Sequence, residues 1–196
     1  MKRPLRITQW ATGRTGPRAR AVIDHPWMEL VGLWVHSPDK VGRDAGELCN
    51  RPLAGVTATN SVDEIVAMDA DFVLYLPQGC DVNVLSRLLA SGKNVVSSRF
   101  EFLHPPSMDA DMRSRLETAC LTGNSSLYGT GSSPGFVTEA LPLVLMSIQR
   151  RLDCITIDEF ADTREATQRL GLRSPCALSA MHWASRSIGR AVPAAG

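Results

Sequence analysis

Residues 5–16, Leu-Arg-Ile-Thr-Gln-Trp-Ala-Thr-Gly-Arg-Thr-Gly, decide how this chain is read. Leu5 to Trp10 alternates and then stops at small residues, the pattern of a buried first strand. Ala11-Thr12-Gly13-Arg14-Thr15-Gly16 follows, and Pro17 stands where the first turn of a helix tolerates a missing N–H. Arg18 to Asp24 continues that helix with Ala19, Val22 and Ile23 inward, and His25-Pro26 ends it. The turn itself carries chemistry. The pyrophosphate of a dinucleotide needs free backbone N–H groups at a helix N-terminus, where the helix dipole favours negative charge. A glycine at the second motif position lets the backbone approach the phosphates, and one at the third lets helix and strand pack closely. Gly13 and Gly16 fill those places, while Ala11 replaces the first glycine, so the match is A-x-G-x-x-G. The alternative reading is a tight turn in an α/β protein that binds no nucleotide.

Outward from that turn the chain alternates strands with helices. Met28 to Val35 is a near-continuous apolar run, the mark of a strand covered on both faces. The polar stretch His36 to Arg51 reads as loop with one short helical turn, and Gly55 to Ala58 as a third strand. Asn60 or Ser61 caps a helix through Met68, with Asp63 and Glu64 in its first turn. Asp71–Leu76 is a fourth strand, Val82–Ser91 a helix with Gly92 at its C-terminal end, and Asn94–Ser97 a fifth strand. Met108–Leu121 is a helix, Ser126–Tyr128 a sixth strand, and Val137–Arg150 another helix. This order means a parallel sheet covered on both faces: an α/β, doubly wound, Rossmann-type domain over residues 1–150.

Composition limits the function classes. With 196 residues, 44% of them hydrophobic and 21% charged, the chain is no disordered tail, fibre or membrane protein. A net charge of +1 gives no global argument for nucleic acid or an anionic membrane as partner. The five cysteines are scattered and never in C-x-x-C spacing, as expected of reduced thiols rather than of a disulfide framework or a metal site. The basic N-terminus lacks a following apolar segment of signal-peptide type, so the expected location is cytoplasmic.

Ligands of open α/β sheets bind at the carboxyl ends of the strands. After the second strand stand His36 and Ser37, with no acid directly at the strand end. Ser37, Lys40 and Arg14 offer contacts to a 2′-phosphate, which favours NADP over NAD. Pro77-Gln78-Gly79, with Cys80, leaves the fourth strand. Gly129 to Gly135, including Gly131, Ser132 and Ser133, leaves the sixth, and its N–H and hydroxyl donors suit a carboxylate or a carboxamide. His104 and Glu101 read as loop residues, Cys80 as a small buried residue, and Trp10, Trp27 and Trp34 as structural. No catalytic residue is assigned.

Three strings carry a family resemblance: the A-T-G-R-T-G turn, Gly42-Arg43-Asp44-Ala45-Gly46-Glu47-Leu48, and Gly55-Val56-Thr57-Ala58-Thr59. Together they resemble dihydrodipicolinate reductase, and more closely the reductase-like group that includes 2,4-diaminopentanoate dehydrogenase. Gly92 to Val96 and Gly131 to Phe136 also fit that group. The resemblance covers residues 4–162. It implies an NAD(P)-dependent oxidoreductase that transfers hydride to or from a small amino or imino carboxylate. It also implies a second α+β domain that closes over the cofactor and forms homo-oligomers through its sheet. On this resemblance Ala11, Thr12, Gly13, Arg14, Thr15 and Gly16 form the phosphate loop. His36 and Ser37 lie on the ribose side, Pro77, Gln78 and Gly79 on the nicotinamide side, and Gly131 to Gly135 at the crossing to the second domain.

From residue 163 onward the resemblance stops. Leu152 to Phe160 reads as the first strand of that second domain, with residues 151–162 its beginning. Residues 1–162 carry 16 basic and 19 acidic side chains, whereas residues 163–196 carry five arginines and one acid. Loss of resemblance, fold signal and charge balance at one place is expected of a truncated second domain followed by an irregular, unrelated tail, as after a change of reading frame. A dinucleotide-binding module without turnover is therefore the alternative to the enzyme.

Overall fold

The alternation in Leu5–Trp10 produces β1, which lies centrally in a six-stranded sheet ordered β3-β2-β1-β4-β5-β6. The other strands are β2 (Met28–Trp34), β3 (Ala58–Thr59), β4 (Phe72–Tyr75), β5 (Asn94–Ser97) and β6 (Leu127–Gly129), and every pairing is parallel. The computed structural model describes residues 3–11, 17–77, 79–131, 135–151 and 154, in two units divided between Ser132 and Ser133. Parallel strands need crossover helices, and these separate by face. Helices α1 (Pro17–Ile23) and α2 (Ala45–Leu48) cover Ile7, Leu30, Leu33 and Val35. Helices α3 (Val62–Ala67), α4 (Val82–Ala90) and α5 (Ala110–Gly123) cover Trp10, Val73, Tyr75 and Val95. In α4, Leu85, Leu88 and Leu89 are fully buried, the i, i+3, i+4 stripe of a core-facing helix. This is the doubly wound α/β fold expected from the sequence.

One irregularity sets the aromatic packing. Ile7 pairs with Leu30, but Thr8 pairs with Gly32, so β2 carries an extra residue at Val31. A one-residue shift exchanges the faces of everything beyond it. Leu33 and Val35 therefore join Leu30 on the α1 face, and Trp34 turns to the opposite face, against Trp10.

The Gly42–Leu48 string proves to be a structural knot. Gly42 N–H donates to the Ala58 carbonyl at 2.8 Å, Ala45 N–H to Val56 at 2.8 Å, and Ala58 N–H to Arg43 at 2.9 Å. Asp44 caps α2 through Gly46 N–H at 2.8 Å, and the same oxygen accepts from Ala54 N–H at 2.8 Å. This corrects the third strand. Gly55 lies at φ +72° in a turn, residues 56 and 57 run beside the knot, and pairing with β2 begins only at Ala58.

The Ala54 and Gly46 N–H groups hold the Asp44 carboxyl below its ordinary range, against an opposing effect of burial. A carboxyl depressed in the folded state stabilises at neutral pH, and that contribution is lost as pH falls below about 4 through the folded value. Asp44→Asn keeps one acceptor oxygen and removes the charge. It is expected to cost about 1 kcal/mol at pH 7, because the bonds from Gly46 and Ala54 N–H lose their charged acceptor, with the gap to wild type closing as urea midpoints are taken to acid. A gap of constant size would contradict this.

Two other boundaries differ from expectation. Helix α5 starts at Ala110, because the Asp109 side chain caps it by accepting from Met112 N–H at 3.0 Å. The helix expected over Val137–Arg150 is shorter and irregular. A wide turn over Phe136–Ala140 precedes α6 (Leu141–Met146), since Pro142 has no N–H to offer the Thr138 carbonyl. In this second unit Leu143, Val144, Leu145 and Ile148 are exposed. The strand expected over Leu152–Phe160 and the tail, Cys154 apart, lie outside the described residues. Among the described residues no helix is long and apolar enough to cross a membrane.

Candidate functional site at the carboxyl ends of the strands

The strand order reverses direction between β1 and β4, and a crevice opens outside the carboxyl ends at such a switch point. The core beneath the ends of β1, β2 and β4 is aromatic. The Trp10 and Trp34 rings stack with centroids 4.5 Å apart and planes 8° apart, and Tyr75 tilts against Trp10 at 5.8 Å. Trp10 is 3% exposed, whereas Trp34 is half-buried with its indole N–H donating to the Asn60 carbonyl at 3.1 Å.

Ala11 follows immediately and adopts φ +69°, the left-handed region in which glycine is at ease and alanine is not. Its N–H donates to the Trp34 carbonyl at 3.0 Å, and its carbonyl accepts from the Gln9 side chain at 2.9 Å. A glycine is the usual occupant of such a conformation, and here an alanine bears it. Thr12 to Gly16 lie outside the described residues, as do Gln78, Ser132 and Ser133.

At the end of β2, Val35 N–H donates to Thr59 and His36 is exposed, its ring 6.2 Å from that of Trp34. Ser37 precedes the turn Pro38–Lys40 and makes no capping bond there. Arg43 is engaged by Glu47 at 2.6 Å and belongs to the knot. At the end of β4, the Pro77 carbonyl accepts from Arg99 at 3.4 Å. Gly79 is exposed, and a Cβ added there would meet nothing within 4 Å. Asp81 is spent on capping α4 through Asn83 and Val84 N–H.

The sequence reading gave no role to Arg99 and ranked Glu101 with His104. The structure separates the two. His104 is exposed at the start of a loop turn. Glu101 sits in the short turn Phe100–Phe102 after β5, paired with Arg99, which also contacts the loop after β4. The second carboxylate oxygen of Glu101, Oε2, is buried and accepts no hydrogen bond. Arg99 and Glu101 lie only two residues apart on an irregular segment, a spacing no simple motif marks. Cys80 stands within their field. Burial pushes its thiol up, and Glu101 and Asp81 add to this against the opposing Arg99. A neutral, half-buried thiol is a packing group, not a nucleophile.

Beyond β6, Thr130 N–H donates to the Ser97 carbonyl at 2.8 Å and Gly131 is buried at φ +56°. Ala11, His36, Ser37, Pro77, Gly79 and Gly131 thus all stand at the carboxyl edge of one sheet, while Gly135, at φ 132°, belongs to the second unit.

A six-stranded parallel sheet in the order β3-β2-β1-β4-β5-β6, with a left-handed residue directly after β1, defines the Rossmann-type class. Comparison with known proteins gives particular neighbours within it. No family model matches the chain. An amine dehydrogenase of Streptomyces virginiae is 36% identical over 166 residues, covering 78% of this chain and 45% of that protein, so the chain spans less than half the relative's length. The solved amine dehydrogenase from Mycobacterium smegmatis superposes with a TM-score of 0.66 at 21% identity, over 76% of this chain and 45% of that one. GenD2 from gentamicin A biosynthesis, solved with NAD, gives 0.55 at 19% identity, over 76% and 40%. Biliverdin reductase from Synechocystis, solved with biliverdin and NADP+, gives 0.52 at 21% identity, over 90% and 55%. These solved structures share the Rossmann-type fold.

Proposed function

We propose that this chain binds NAD(P) at the carboxyl edge of its sheet and serves an oxidoreductase acting on a small amine or amino carboxylate. The observation that carries the reading is Ala11, which takes a glycine's backbone conformation at the first position of a dinucleotide motif, beside the switch point. The similarity to an amine dehydrogenase supports the reaction class. The finer assignment, to the dihydrodipicolinate reductase-like type near 2,4-diaminopentanoate dehydrogenase, rests on the three sequence strings.

The residues present fit the cofactor: the left-handed turn leads into the motif, and the space at Gly79 is open. Ala11 to Gly16 would hold the pyrophosphate, His36 and Ser37 the ribose side, and Pro77 to Gly79 the nicotinamide side. NADP is favoured over NAD, because no acid directly ends β2 to meet a ribose hydroxyl. When bound, the dinucleotide supplies or accepts the hydride. The chain's own residues bind and orient the other reactant. Glu101, held by Arg99 beside the loop after β4, would supply the carboxylate that pairs with a substrate ammonium. The loop that begins at Gly131 would offer donors to a carboxylate.

Titration of the whole chain with NADPH and NADH tests the first part. At about 100 times Kd the ligand is expected to stabilise by about 2.7 kcal/mol, and failure of both dinucleotides to bind would sink the reading. Binding without turnover of any candidate amine would identify a dinucleotide-binding module instead. Where turnover is seen, Glu101→Gln is expected to lower it about 100-fold while leaving dinucleotide affinity within about threefold. Unchanged turnover would remove Glu101 from the site.

A further inference from the structure

Strand β1 carries two fully buried polar side chains, Thr8 and Gln9. Gln9 is the one that bonds the residue directly after β1. Its Nε2 donates to the Ala11 carbonyl at 2.9 Å, and its Oε1 is buried without a hydrogen-bond partner among the described residues. A buried amide oxygen with no donor is disfavoured, so an apolar residue would serve mere packing better. Ala11 stands at φ +69°, with its N–H bound to the Trp34 carbonyl at 3.0 Å. An L-residue keeps such a conformation only where its surroundings over-determine it. Here they do: β2 holds the N–H side of the residue and Gln9 holds the carbonyl side.

We infer that Gln9 is a positioning residue for dinucleotide binding. By holding the Ala11 carbonyl it keeps the alanine in the left-handed turn from which the chain enters Thr12–Gly16. It does for alanine what the lack of a Cβ does for glycine. This rests on the functional reading above, since the turn matters to affinity only if the motif binds a dinucleotide.

A rescue design separates positioning from packing. Gln9→Met keeps the side chain's size and removes both hydrogen-bonding groups. In the whole chain it is expected to raise the Kd for the preferred dinucleotide about tenfold or more by calorimetric titration. In an Ala11→Gly background, where the turn needs no clamp, the same substitution is expected to change Kd by less than about threefold. A Gln9→Met Kd equal to wild type overturns the inference, and so does a loss that persists undiminished beside Gly at position 11. Should Gln9→Met fail to fold, Gln9→Leu carries the same comparison, because it too has no group that donates to the Ala11 carbonyl. Thermal midpoints of all four proteins without ligand keep the two readings apart. If wild type binds neither dinucleotide, the functional reading fails. The unliganded cycle still decides the clamp: equal losses in both backgrounds overturn it, and a smaller loss beside Gly at position 11 upholds it.

Discussion

Replacing Trp10 by alanine is expected to cost about 3–5 kcal/mol of folding stability, read as a fall in urea midpoint. The indole is 3% exposed and stacked on Trp34 at 4.5 Å, with Tyr75 tilted on it at 5.8 Å. Truncation removes the largest group from the end of the strand that enters the candidate site. It leaves a void that the Trp34 and Tyr75 rings, each anchored at its polar end by a hydrogen bond, are poorly placed to fill. Trp10→Phe restores an aromatic face and is expected to lose clearly less. A loss under about 1 kcal/mol for the alanine variant would mean that the stacked pair is not a core contact.

Gly46→Ala is the second large effect, expected at about 3 kcal/mol, the upper end for overpacking. A Cβ there would lie 2.0 Å from the Pro52 carbonyl oxygen and 2.9 Å from Ala54 N. Both are backbone atoms, and Ala54 N–H is already bound to Asp44 at 2.8 Å, so the loop cannot retreat without breaking the knot. Gly42, four residues earlier, makes the contrast. Nothing lies within 4 Å of its added Cβ, and only φ +81° requires glycine. Gly42→Ala is therefore expected to cost about 1–2 kcal/mol. Equal losses at the two positions would show that contact with the Pro52 loop is not what selects Gly46.

These two glycines bear on what could be read without coordinates. The Gly42–Leu48 string is one of the three that carry the family resemblance, and its residues prove to be spent on a cap, a close approach and a loop crossing. Specificity of sequence here reflects the steric demands of a knot, not chemistry. The candidate site is legible in the sequence at Ala11–Gly16, where strand, small residues and helix follow in order, and not at Glu101. A carboxylate two residues from its arginine on an irregular segment has no periodicity to reveal it. What singles Glu101 out is that Oε2 is buried and bonded to none of the described residues, which is a property of packing.

The chain's local patterns determined the doubly wound fold: apolar strands that stop at small residues, helices with Ser61 and Gly92 near their ends, and turn residues between them. Those are short-range preferences, and the strands and helices obey them wherever nothing distant intervenes. Tertiary structure alone decided three things. The extra residue at Val31 turned Trp34 onto Trp10, because a register shift exchanges faces in a way composition does not record. The knot delayed β3 to Ala58 by engaging the residues before it. The Gln9 side chain and the β2 edge together hold Ala11 at φ +69°, a conformation alanine does not adopt by its own preference and that only contacts from outside its own turn sustain.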